Sequence, residues 1–132
     1  MDKNDRNHRE DLEVVHSYSR KQAIEDGILI DVTKTASEAG FRYPVALTAA
    51  VYGPYVEVPD SVSGQDSDGR LRDVLWMLLN AIRRAGGTDR VPFDVHVRNS
   101  DRHPPELVRL VGHCGSGDDL EPVITVMLPG ED

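Results

Sequence analysis

The sequence predicts an α+β domain: a C-terminal three-stranded antiparallel sheet packed on a central helix at residues 70–85, with short helices before it. Three observations carry that reading. First, RLRDVLWMLLNAIRRA (70–85) repeats Leu71, Val74, Leu75, Leu78, Ile82 and Ala85 at three- and four-residue steps, so they form one stripe on a helix. Second, after Gly86-Gly87 the period drops to two, with Phe93, Val95 and Val97 alternating with Asp94, His96 and Arg98. Third, the apolar runs at 107–114 and 123–128 follow across a short connection each, and consecutive strands joined this way favour an antiparallel meander. Helices first and strands last place the sheet over one side of the central helix.

In chain order, residues 1–16 are polar and charged, with only Leu12, Val14 and Val15 to bury. They read as a flexible polar arm ahead of a single domain at 17–132. A short helix follows at residues 19–26, with Ser19 as cap, Gln22 as its capping-box partner and Gly27 as its stop. ILIDV (28–32) is a brief β-branched run, and Thr33 or Thr35 opens another short helix that Gly40 ends. Pro44 suits the first position of a helix running through 45–52, with Gly53-Pro54 as its end. Val56 and Val58 alternate with Glu57 as a short strand would. PDSVSGQDSDG (59–69) is a loop of turn residues, and Ser67 or Asp68 caps the central helix. Arg70, Arg72, Asp73, Asn80, Arg83 and Arg84 supply its wet positions. Trp76, Met77 and Leu79 widen the apolar stripe of that helix beyond what one covering layer needs. They mark an interface, either a subunit contact in a homodimer or a seam covered by the N-terminal helices.

Charge and composition exclude several classes. The chain has 132 residues and a net charge of -8, and no apolar run approaches the ~20 residues that a membrane helix needs. No segment resembles a signal peptide, so the expected location is the cytoplasm. One cysteine, Cys114, rules out an internal disulfide framework and a cysteine-rich zinc site. Charge is uneven: Glu57, Asp60, Asp66 and Asp68 crowd residues 57–69 without a Lys or Arg, whereas residues 70–109 hold eight arginines against five acids. An acidic total argues against a nucleic-acid footprint and favours a protein partner, a basic one above all.

Three stretches stand out together: YSRKQAIEDGILIDV (18–32), AGFRYPVALT (39–48) and GRLRDVLWML (69–78), with the closing TVMLPGED (125–132). They resemble an uncharacterised family of small bacterial proteins carried on plasmids, phages and other mobile elements. The likeness covers residues 18–132. It implies a cytoplasmic accessory protein that interacts with host components, and it carries no catalytic residue over. Where relatives continue the second helix past Tyr52, this chain has Gly53-Pro54.

Four places are candidates for chemistry. Asp94, His96 and Arg98 share one face of the first C-terminal strand, and Arg109 and His113 share one face of the second. Antiparallel pairing that brought His96 to His113 would assemble an acid–base or anion-holding cluster, the basis of a small hydrolase or transferase. The plain alternative is the solvated side of a half-covered sheet. Asp66-Ser67-Asp68-Gly69 opens like a calcium loop but lacks the closing Glu, so it reads as a helix cap and no metal is expected. Cys114 and His113 are adjacent in a strand and point to opposite faces, which makes Cys114 a packed thiol rather than a nucleophile. Arg20 and Lys21 would bind an acidic partner, or else simply belong to a capped turn that packs Ala23 and Ile24. No phosphate-binding, dinucleotide-binding or zinc-protease motif is present, so no cofactor is expected.

Overall fold

The computed structural model describes residues 18–60 and 62–131. The polar arm expected at residues 1–16 lies outside the described residues, as do His8 and His16. The elements are α1 (Arg20–Glu25), β1 (Leu29–Asp31), α2 (Thr33–Ala39), β2 (Val45–Thr48), α3 (Ala49–Tyr55), α4 (Ser67–Arg84), β3 (Arg90–Val97), β4 (Glu106–Ser116) and β5 (Pro122–Met127).

The class is α+β, but the expected three-stranded antiparallel sheet is corrected. The sheet has five strands in the order β1-β2-β5-β4-β3 and is mixed. The antiparallel meander β3-β4-β5 is present, and β2 joins it parallel to β5, with Ala46 opposite Thr125. β1 then closes the far edge, antiparallel to β2.

The cause is local. Residues 44–52 read as helix because Pro44 precedes an alanine-rich run. Val45, Ala46 and Leu47 instead form a strand inside the sheet, between β1 and β5, with virtually no exposure. A strand buried on both faces has no polar alternation, so its pattern cannot be told from that of a buried helix segment. The Pro44 carbonyl accepts from the Ile124 amide at 2.9 Å, and the Thr33 hydroxyl accepts from the Val45 amide at 3.1 Å. These bonds hold the strand extended. The helix starts only at Ala49 and runs past Gly53-Pro54 to Tyr55, so Pro54 removes a donor only in its final turn. The short strand expected at residues 56–58 is absent: Val56 ends α3 and is fully buried.

Helix α4 crosses the inner face of the sheet. Leu71, Val74, Leu75, Leu78 and Leu79 are its buried apolar residues, and they meet Phe93, Val95, Val97, Val108, Leu110, Ile124 and Val126. The helix approaches β4 closely at Gly112, where a Cβ would stand 2.5 Å from Leu78 Cδ1. Glycine is therefore dictated by packing at that point. α2 lies beside α4 on this inner layer, and Gly40 ends α2 at φ 112°, a left-handed stop.

Candidate functional site

The outer face of the sheet holds the histidines and arginines singled out by sequence. The ladder puts Asp94 opposite Arg109, His96 opposite Leu107, and His113 opposite Arg90. Asp94 and Arg109 form a two-pronged pair, with Nε–Oδ1 at 2.8 Å and Nη2–Oδ2 at 3.1 Å. The Arg109 guanidinium holds the Asp94 carboxyl below the usual carboxylate range, through its hydrogen bonds first and its charge second. His96 and His113 are not brought together. His113 sits across from residue 90, and His96 lies six residues further along β3, which at ~3.3 Å per residue is roughly 20 Å. Arg98 is turned to the loops, donating to the Ser63 carbonyl at 3.2 Å and lying 3.8 Å from Asp101.

Arg20 and Lys21 sit at the start of α1, whose capping box between Ser19 and Gln22 forms as expected. Both backbone amides donate to the Asp118 carboxylate, at 2.8 and 3.0 Å, and depress its pKa. The Arg20 guanidinium is half-buried over the sheet, donating to Thr125 Oγ1 at 2.7 Å and to the Ile124 carbonyl at 2.9 Å. Arg20 thus ties α1 to β5 through two of its five N–H donors.

The helical pattern counts Arg70 among the wet positions of the central helix, and the structure buries it. Arg70 is 8 % exposed. Its Nε donates to Gln65 Oε1 at 2.8 Å; Nη1 donates to the Glu57 carbonyl at 3.0 Å and to Asn99 Oδ1 at 2.9 Å; Nη2 donates to the Arg98 carbonyl. None of these acceptors is a carboxylate, and burial together with the nearby Arg98 pushes the guanidinium pKa down. One side chain thereby fastens the loop before α4 to the end of β3. The signal was present in the spacing: Arg70, Val74 and Leu78 fall on a single four-residue row.

Beside this knot a cleft of ≈ 290 Å³ opens between α4 and β3, lined by Tyr55, Gln65, Asp66, Asp73 and Val74 on one side and by Val95, His96 and Arg98 on the other. Asp66, one residue ahead of the expected caps, accepts from the Gly69 amide at 2.6 Å and caps α4. This is the role taken by the stretch that opens like a calcium loop. Cys114 lies partly buried against the core, and desolvation raises its thiol pKa.

Of the three interface residues, Leu79 is buried, with Cδ2 near Gly40. Trp76 and Met77 face outward, 56 % and 39 % exposed. Trp76 borders a groove of ≈ 520 Å³ with Thr35, Glu38, Ala39, Arg72 and Asp73. Asp73 lines both this groove and the cleft beside β3, so the two adjoin across one turn of α4. The outward stripe continues to Arg83 and Arg84.

The fold and these surfaces define a small α+β domain with an exposed tryptophan on its central helix. The chain belongs to the family of unknown function DUF6573, whose model matches residues 6–132. No curated protein and no solved structure matches the chain. Among the described residues no helix is long and apolar enough to cross a membrane, and no three His, Cys, Asp or Glu side chains converge as a metal ion would require.

Proposed function

We propose that the protein is a small acidic interaction protein, acting in the cytoplasm by binding another protein rather than by catalysis. The observation that carries this reading is Trp76. A tryptophan that turns 56 % of its surface to water on the central helix, with Met77 beside it, is the type of group that anchors interfaces. Arg72, Arg83 and Arg84 share its stripe and give it a polar, charged rim. The roughly 20 Å between His96 and His113 supports binding over a hydrolase or transferase built on Asp94, His96 and His113, because acid–base partners work within hydrogen-bond reach or through one water. The resemblance to proteins carried on plasmids and phages supports an accessory role in a mobile-element system.

The test is co-purification from bacterial cells. The tagged chain should retain a partner in near-equal amount at physiological salt, and Trp76→Ala should lose it while melting normally. Retention of the same partner by Trp76→Ala would refute the reading. A second reading has the same motive: Trp76 and Met77 are also what the seam of a homodimer would expose, and sedimentation separates the two.

A further inference from the structure

We infer that the cleft between α4 and β3 is a binding site for a free amino acid, whose carboxylate meets Arg70 and Arg98 and whose ammonium meets Asp73. This site goes beyond the partner surface proposed above, and it starts from Arg70. That side chain is 8 % exposed and lines the cleft. Four of its five N–H groups are spent on Gln65 Oε1, the Glu57 carbonyl, Asn99 Oδ1 and the Arg98 carbonyl. One N–H of Nη2 remains. All four acceptors are neutral, whereas a buried charge is ordinarily matched by an opposite one. Arg98 lines the same cleft, and its charge is near enough to press on Arg70. Arg98 gives Nη2 to the Ser63 carbonyl at 3.2 Å and meets Asp101 only at 3.8 Å. Two guanidinium groups therefore share one end of the cleft, and among the described residues no carboxylate is hydrogen-bonded to either.

The opposite charge stands in the same cleft but apart. Asp66 and Asp73 line it, yet among the described residues neither forms an ion pair with Arg70 or Arg98. Asp66 is occupied as the cap of α4, accepting from the Gly69 amide at 2.6 Å. Asp73 makes no hydrogen bond or ion pair with any described residue. Arg70 and Asp73 are three residues apart on α4, which sets their Cβ atoms about 5–6 Å apart. From there Arg70 reaches back to Gln65 and to the end of β3. The cleft is thus positive towards the end of β3 and negative one turn along the helix.

A ligand with one sign of charge answers only half of this lining. An anion would face Asp73, a cation would face the two arginines, and an apolar group would leave both ends unmatched. A molecule with a carboxylate and an ammonium on one carbon answers both, through charge-assisted hydrogen bonds of about 2.7–2.9 Å at each end. The cleft volume of ≈ 290 Å³ sits at the bottom of the range of ligand pockets, roughly 300–1,000 Å³, which suits a single amino acid better than a peptide.

The test is an NMR titration of the ¹⁵N-labelled full chain with each of the common protein amino acids in turn, at millimolar concentration. The expected result is that at least one of them shifts the amides of Gln65, Arg70, Asp73, His96 and Arg98 in a saturable way. Its N-acetyl derivative lacks the ammonium and its carboxamide lacks the carboxylate, so each should bind at least about tenfold more weakly, the effect of one lost charge-assisted hydrogen bond. Asp73→Asn removes the acidic end at an exposed position with no partner to lose, so it should melt normally and bind at least about tenfold more weakly too. The inference is overturned if no amino acid perturbs these amides. Equal binding by either derivative, or by Asp73→Asn, overturns it as well. No partner protein enters this experiment, so the amino-acid site and the Trp76 interface stand or fall separately.

Discussion

Replacing Arg70 by methionine is the perturbation that most strains this structure. Methionine keeps an unbranched stem of similar reach, so the hydrophobic part of the side chain is roughly preserved. What disappears is a guanidinium that donates to four acceptors: Gln65 Oε1, the Glu57 carbonyl, Asn99 Oδ1 and the Arg98 carbonyl. A hydrogen bond involving a charged group contributes about 1.5–3 kcal/mol, but these four share one donor group and do not add. Burying a guanidinium without a carboxylate also costs free energy, as its lowered pKa reflects, and methionine recovers that cost. Gln65 and Glu57 lie near solvent and can turn to water, whereas Arg98 and Asn99 are only part-exposed. The balance is a loss of about 3 kcal/mol. At a urea slope of about 2 kcal/mol per molar, the midpoint should fall by about 1.5 M. Arg70→Lys should recover less than half of this, since an ammonium cannot span the same fork of acceptors. A midpoint within about 0.5 M of wild type, a loss of about 1 kcal/mol, would refute the idea that Arg70 fastens the loop before α4 to β3.

Gly112→Ala forces a Cβ to 2.5 Å from Leu78 Cδ1, so a thermal melt should show a destabilisation of about 1–3 kcal/mol; an unchanged melting temperature would mean that α4 does not press on β4 there. Asp118 accepts the amides of Arg20 and Lys21 and its folded pKa is depressed, so its stabilisation is present above the unfolded value near ~3.9 and is lost as pH falls through the lower folded value. Wild type should therefore exceed Asp118→Asn in stability at neutral pH and converge with it in acid, and parallel curves down to pH ~2 would contradict the α1 anchor. If Trp76 and Met77 form a homodimer seam, sedimentation at micromolar concentration should show a dimer that Met77→Glu dissociates; a monomer at every concentration removes the dimer and leaves the stripe to another protein.

The meander and the central helix were legible because each has one dry face and one wet face. Periods of two and 3.6 survive in β3 and α4 for that reason. The α1 capping box was legible too, being local in sequence. β2 was not: with both faces buried, VALT carries no period at all, and its partner in β5 lies almost eighty residues away, opposite Thr125. Missing β2 hid the mixed topology and the role of β1 as an edge. The outer-face cluster had the right residue types on the right face. Register decides whether such residues meet, and residue pattern alone does not specify it. The stretches that mark the family resemblance turn out to meet in space. Arg20 reaches Thr125, and Thr48 donates to Glu131 at 2.7 Å. These residues therefore hold the domain together.

The most direct test of binding as the function is in-cell photocrosslinking at the tryptophan. The chain carrying Trp76→p-benzoylphenylalanine is expressed in cells and irradiated. The control is Leu120→p-benzoylphenylalanine, at an apolar position 83 % exposed in the β4–β5 turn. Binding through Trp76 predicts one discrete heavier species at residue 76, containing a second protein, that the control does not form. The same adducts from both positions, or none from residue 76, would contradict it.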